Sequence, residues 1–173
     1  MVSRAGLVAL VAIAAVALPG SAAALVEKGT IRVNRGGAGI TLGMTRAQVV
    51  AKLGKPLFEN ANGYMQYADV PNLFDVYLDA SSTPKRVRLV GISGERFCFP
   101  AGFCMFRKGA VGKLKKLYGA SLKVVRLESG ERVYRVAGSY RECDVFTDFT
   151  PRRFRSSARL IIVFVGFESG SAC

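Results

Sequence analysis

Three groups of residues have types and spacings that could do chemistry. Four cysteines, Cys98, Cys104, Cys143 and Cys173, could cross-link the chain or cycle between thiol and disulfide. Glu142, Asp144 and Asp148 form the densest acidic group. Two carboxylates across a cleft are what glycoside hydrolysis needs. Arg152, Arg153 and Arg155 follow Pro151 and could hold an anion. No histidine occurs anywhere. That excludes Ser-His-Asp and Cys-His nucleophilic catalysis, histidine general bases and histidine metal sites together. No Walker loop or G-x-G-x-x-G fingerprint is present, and Arg35-Gly36-Gly37-Ala38-Gly39 lacks the required spacing.

Each group also has a plainer reading. The cysteines show no C-x-x-C spacing, and no histidine is available to stabilise a thiolate. An even count in an exported chain reads as two disulfides. Four cysteines allow three pairings, and sequence alone does not choose among them. Cys98–Cys104 with Cys143–Cys173 is the favoured set. The short loop of the first pair corresponds to roughly 2 kcal/mol of chain entropy, and the second to roughly 3.5 kcal/mol. The carboxylates could share one strand face and pair with Arg141, Arg152 and Arg153 on a wet surface. The arginine run could be a solvated loop. Tyr64, Tyr67, Tyr77, Tyr134 and Tyr140 could form a recognition surface, but are expected mostly as half-buried strand residues.

The elements that would position these groups follow from pattern. Thr45 and Gln48 make a capping box, and Gly54 and Pro56 stop the helix, so residues 46–53 are an expected helix. Met44 and Val49 are placed for a hydrophobic staple. A second helix is expected over 110–118, stopped by Gly119, with Lys113, Lys115 and Lys116 on its solvated face. Strands are expected at 64–67, 74–78, 87–92, 122–126, 132–136, 145–149 and 159–167. The last is apolar throughout its middle and suits a central strand. Thr30–Val33 reads as a short edge strand broken by Gly36-Gly37, within a flexible leader at 25–39.

Residues 1–24 read as a cleavable export signal. Arg4 precedes an apolar run from Ala5 to Leu18, Pro19-Gly20-Ser21 breaks it, and Ala22-Ala23-Ala24 offers a cleavage site. Fourteen helical residues rise only about 21 Å, against a hydrocarbon core of about 30 Å. Cleavage leaves about 149 of 173 residues, enough for one domain. It also leaves 24 lysines and arginines against 12 acids, a net charge near +12. Such an excess attracts anionic partners.

The segment Leu42-Gly43-Met44-Thr45, Gln48-Val49 and Leu53-Gly54-Lys55-Pro56 resembles the helix motif of small outer-membrane-assembly lipoproteins of the SmpA/OmlA type. It is also similar to the β-lactamase inhibitory protein architecture, which repeats a helix-plus-sheet unit. The match covers about a tenth of the chain and carries fold more than function. It departs from the lipoproteins in lacking a cysteine near the cleavage site to acylate. No contact residue of the inhibitor can be placed on this chain.

The expected fold class is α+β: two tandem repeats of a short helix followed by antiparallel strands, with the helices on one sheet face. The repeats span 40–93 and 105–173. The expected function is an exported, non-catalytic binding or inhibitor-like module with no cofactor and no metal. Its partner is a protein or an anionic envelope polymer, with no specific nucleic acid. The alternatives are an envelope assembly factor and a carboxylate-dependent hydrolase.

Overall fold

A computed structural model describes Val26, residues 28–68 and residues 71–168. The expected signal, residues 1–24, lies outside the described residues. In chain order the elements are β1 (Lys28–Arg32), β2 (Gly36–Gly37), β3 (Ile40–Thr41), α1 (Arg46–Leu53), β4 (Phe58–Glu59), β5 (Tyr64–Gln66), β6 (Leu73–Leu78) and β7 (Val87–Ser93). They continue with β8 (Arg96–Phe99), β9 (Phe103–Cys104), α2 (Ala110–Tyr118), a 3-10 turn (Gly119–Ser121), β10 (Leu122–Arg126), β11 (Arg132–Tyr140), β12 (Cys143–Pro151) and β13 (Leu160–Phe167).

The strands form two sheets. The larger has eight strands, ordered β10-β11-β12-β13-β7-β6-β5-β4, and every pairing in it is antiparallel. The apolar β13 takes the expected central place, between β12 and β7. The smaller sheet has five strands, ordered β3-β2-β1-β8-β9, with β1 parallel to β8.

This corrects the expected α+β fold of tandem helix-plus-sheet repeats. Among the described residues the protein is mostly β, with two short helices. The core lies between two sheets, and the second sheet is built mainly from the segment expected as a flexible leader and from residues 96–104, which fall between the two expected repeats, where the sequence predicts no strand. Their apolar residues explain why. Ile31 and Phe97 are fully buried, and Phe99 and Phe103 nearly so. Phe97 stacks on Phe74 of the large sheet at 5.9 Å between ring centres, and Phe99 meets Phe149 at 5.9 Å. Gly36-Gly37 does not interrupt this sheet but forms β2. A Cβ on Gly37 would collide with the Ile92 side chain, so the glycine lets the two sheets approach closely.

Register decides what each face of the large sheet carries. Phe74, Ile92, Val163, Phe149 and Tyr134 are successive cross-strand partners from β6 to β11. All are buried and point toward the small sheet and helices. The next row, one residue along, is Gln66, Asp75, Gly91, Phe164, Asp148 and Arg135. It lies on the opposite face, because side chains alternate along a strand.

The helices contribute Val49 from α1 and Ala110, Val111 and Leu114 from α2 to the buried core. The α1 capping box forms as expected: Gln48 N–H donates to Thr45 Oγ1, and Thr45 N–H donates to Gln48 Oε1. Cys98 and Cys104 are cross-strand partners on β8 and β9 and form a disulfide. Closing so short a loop contributes about 2 kcal/mol. Cys143 is also in a disulfide. Its expected partner, Cys173, lies outside the described residues. Among the described residues, no helix is long and apolar enough to cross a membrane.

Candidate functional site

Residues 152–159 join β12 to β13, and their conformation follows from what surrounds them. The register between the two strands shifts at Thr150 and Pro151, where the ladder ends. Proline has no N–H to continue it. Within the loop, Arg152 N–H donates to Arg159 O at 3.0 Å, and Ala158 N–H donates to Arg155 O at 3.0 Å.

The loop is tied down by α2. The first N–H groups of a helix lack partners within the helix. Here the N-cap is Gly109, which has no side chain to offer. The loop supplies the acceptors instead. Gly109 N–H donates to Ser157 O at 3.1 Å, Val111 N–H to Ala158 O at 3.2 Å and Gly112 N–H to Ser156 O at 2.9 Å. Three loop carbonyls are thereby turned toward the helix.

The charged side chains are left outside. Arg152, Arg153, Arg155 and Arg159 are exposed, as is Lys108 just before the helix. These five, with Ser157 and Ala158, line a groove of about 320 Å³. No acidic residue lines it, and none of the five cations forms an ion pair among the described residues. Guanidinium groups present planar forks of N–H donors that match paired oxygens, whereas Lys108 adds a point charge. The arrangement is equipped to hold an anion.

The sequence places Arg152, Arg153 and Arg155 correctly in a loop after Pro151. It does not bring in Lys108, Ser157 or Arg159. Lys108 reaches the groove only because α2 docks its first turn on the loop. The signal for that docking is a helix start with no capping side chain.

The three carboxylates are not gathered into a site. Glu142 sits in the turn between β11 and β12, with φ of 67°. Asp144 is exposed opposite Ser139. Asp148 is 4% exposed and accepts from Arg135 at 2.7 Å through each of its oxygens. Its partner is therefore neither Arg152 nor Arg153. Asp148 holds the Arg135 guanidinium above its usual pKa. Among the described residues, no three His, Cys, Asp or Glu side chains cluster closely enough to hold a metal ion. Of the five tyrosines considered as a recognition surface, Tyr67 and Tyr134 are buried, and Tyr64, Tyr77 and Tyr140 are half-buried.

Asp75 is the second buried carboxylate of the Asp148 row. It is 3% exposed, and its Oδ1 has no hydrogen-bond partner. The register explains this: its neighbours across the strands are Gln66 and Gly91, where Asp148 has Arg135. Burial pushes the Asp75 carboxyl up, and Tyr64 offsets part of the rise. Between the unfolded and the folded pKa, the folded chain holds the extra proton. Asp75 therefore costs no stability below the unfolded value of about 3.8 and an increasing amount as pH rises to the folded value. Asp75→Asn is expected to raise stability at pH 7 by about 1 kcal/mol and to flatten the decline above pH 4. Unfolding midpoints of both proteins measured from pH 4 to 7 check this; parallel curves would refute it.

The chain matches no family model, no curated protein and no solved structure.

Proposed function

We propose that this protein is an exported, non-catalytic binding module that takes an anionic ligand in the groove formed by residues 152–159 and the start of α2. The observation that carries the reading is five cations around about 320 Å³ with no acid among them, on a loop fixed by three backbone hydrogen bonds. Like charges held together repel, and an anion relieves that repulsion. Because the loop is already ordered, little conformational entropy is lost when a ligand binds. The Cys98–Cys104 disulfide is compatible with an oxidising compartment. The partner is an anionic envelope component, or a protein that presents acidic groups.

A test must separate a built groove from bulk charge. Gly112 offers one, since a Cβ there would stand 3.0 Å from Ser156 O. Gly112→Ala keeps every cation in the chain but displaces the loop from the helix by a few tenths of an ångström. With tripolyphosphate as a compact probe, titration calorimetry is expected to show salt-sensitive binding by the native protein. The variant is expected to bind about fivefold to tenfold more weakly, because misplaced donors lose bidentate geometry. Absence of binding by the native protein refutes the site. Equal affinities would mean that net charge alone attracts the anion.

A further inference from the structure

Phe154 lies between two arginines of the groove, and its ring continues the cationic surface beyond it. It is 36% exposed and rests on Tyr134, with ring centres 5.0 Å apart. The Arg132 guanidinium lies over Phe154 at 4.7 Å, and the Lys115 ammonium lies over Tyr134 at 5.3 Å. Arg132 and Lys115 are both exposed, and neither forms an ion pair among the described residues. The two stacked rings thus lie between two cations, with Arg132 over Phe154 and Lys115 over Tyr134 on the flank of α2. The segments supplying them are the loop, β11 and α2.

We infer that the groove is one end of a longer track, and that the ligand is a linear polyanion whose successive charged units pass from the groove across Phe154 to Arg132 and Lys115. This inference rests on the anion-binding reading above and names its ligand class. A single small anion needs only the groove, and would leave Arg132 and Lys115 unused. A chain with repeated negative units gains from each further cation and displaces counterions as it does so. The rings hold those cations at fixed places along the path. The seating of Phe154 argues for a soluble chain over a lipid surface, since its ring is stacked on Tyr134 and covered by Arg132.

The probes are inorganic tripolyphosphate and inorganic polyphosphates of increasing length, titrated into the native protein and into Lys115→Gln/Arg132→Gln. Native affinity is expected to rise with chain length. The double variant is expected to keep its tripolyphosphate affinity within twofold, to lose about tenfold for long chains and to lower the salt slope for long chains by about 2. Lys115→Arg/Arg132→Lys, which keeps both charges, is expected to restore long-chain binding. Thermal unfolding confirms that each variant is folded. If tripolyphosphate does not bind, the anion-binding reading itself fails. If it binds but the length dependence is the same in the double variant, the track is overturned, and the gain with length reflects only the number of ways a chain can enter the groove. Binding to vesicles containing phosphatidylglycerol without binding to soluble long chains would overturn it in favour of a membrane surface.

Discussion

Arg152→Glu/Arg153→Glu/Arg155→Glu is expected to lower affinity for tripolyphosphate by about a hundredfold or more at low salt. The native groove is lined by five cations; the variant keeps Lys108 and Arg159 against three carboxylates, leaving one net negative charge. Attraction becomes weak repulsion, and no guanidinium fork remains within the run. The slope of log affinity against log salt should fall by about 3, one for each lost contact. Folding should be little affected. The three side chains are exposed, and the hydrogen bonds that seat the loop on α2 come from Gly109, Val111 and Gly112 to Ser156, Ser157 and Ala158. An unfolding midpoint near that of the native protein, together with lost binding, is the expected pair of results. Unchanged affinity in the folded variant would remove the loop from the function.

Arg135→Met is expected to destabilise the fold severely. The Arg135 side chain is 20% exposed and that of Asp148 is 5% exposed, and the two meet through paired contacts of 2.7 Å. Removing the guanidinium leaves a carboxylate buried between strands without its counter-charge. Such losses cost about 3–5 kcal/mol. For a domain of this size, that lowers the unfolding midpoint by about 10 °C. Replacing both partners, as in Arg135→Met/Asp148→Leu, should recover most of the loss, because the cost lies in the orphaned charge. Denaturant unfolding of the native protein, both single variants and the double variant measures the coupling directly. Additive effects would show that the pair is not acting as a unit.

The sequence was most legible where the determining interactions are local. Thr45, Gln48 and Gly54 specify α1 within ten residues, and both the capping box and the helix bounds are found as expected. Phe74, Val76 and Leu78 alternate along a strand, and all three are buried. What failed depended on distant partners. Lys28 pairs with Arg96 and Thr30 with Cys98 in the parallel contact of β1 and β8. Neither segment has a long alternating pattern, and the glycines between β1 and β3 read as breaks. The close approach of Gly37 to Ile92 is a property of the assembled sheets. The site divides in the same way. Arg152, Arg153 and Arg155 stand together in sequence, whereas Lys108, Arg132 and Lys115 arrive from other elements. The Asp148–Arg135 pair, thirteen residues apart, is set by the register of β11 on β12.

The order of the large sheet also bears on how the protein behaves in crowded company. An eight-stranded antiparallel sheet that does not close has two free borders, each able to recruit another chain through its backbone. One border here is β4, only two residues long, with Glu59 held by Arg46 from α1 at 2.6 Å. The other is β10, where exposed Lys123 and Arg126 accompany the exposed Val124. A second copy approaching that border would have to bring like charges alongside one another. A brief border on one side and a cationic one on the other discourage fibril-like stacking, so Lys123 and Arg126 help keep the molecules apart.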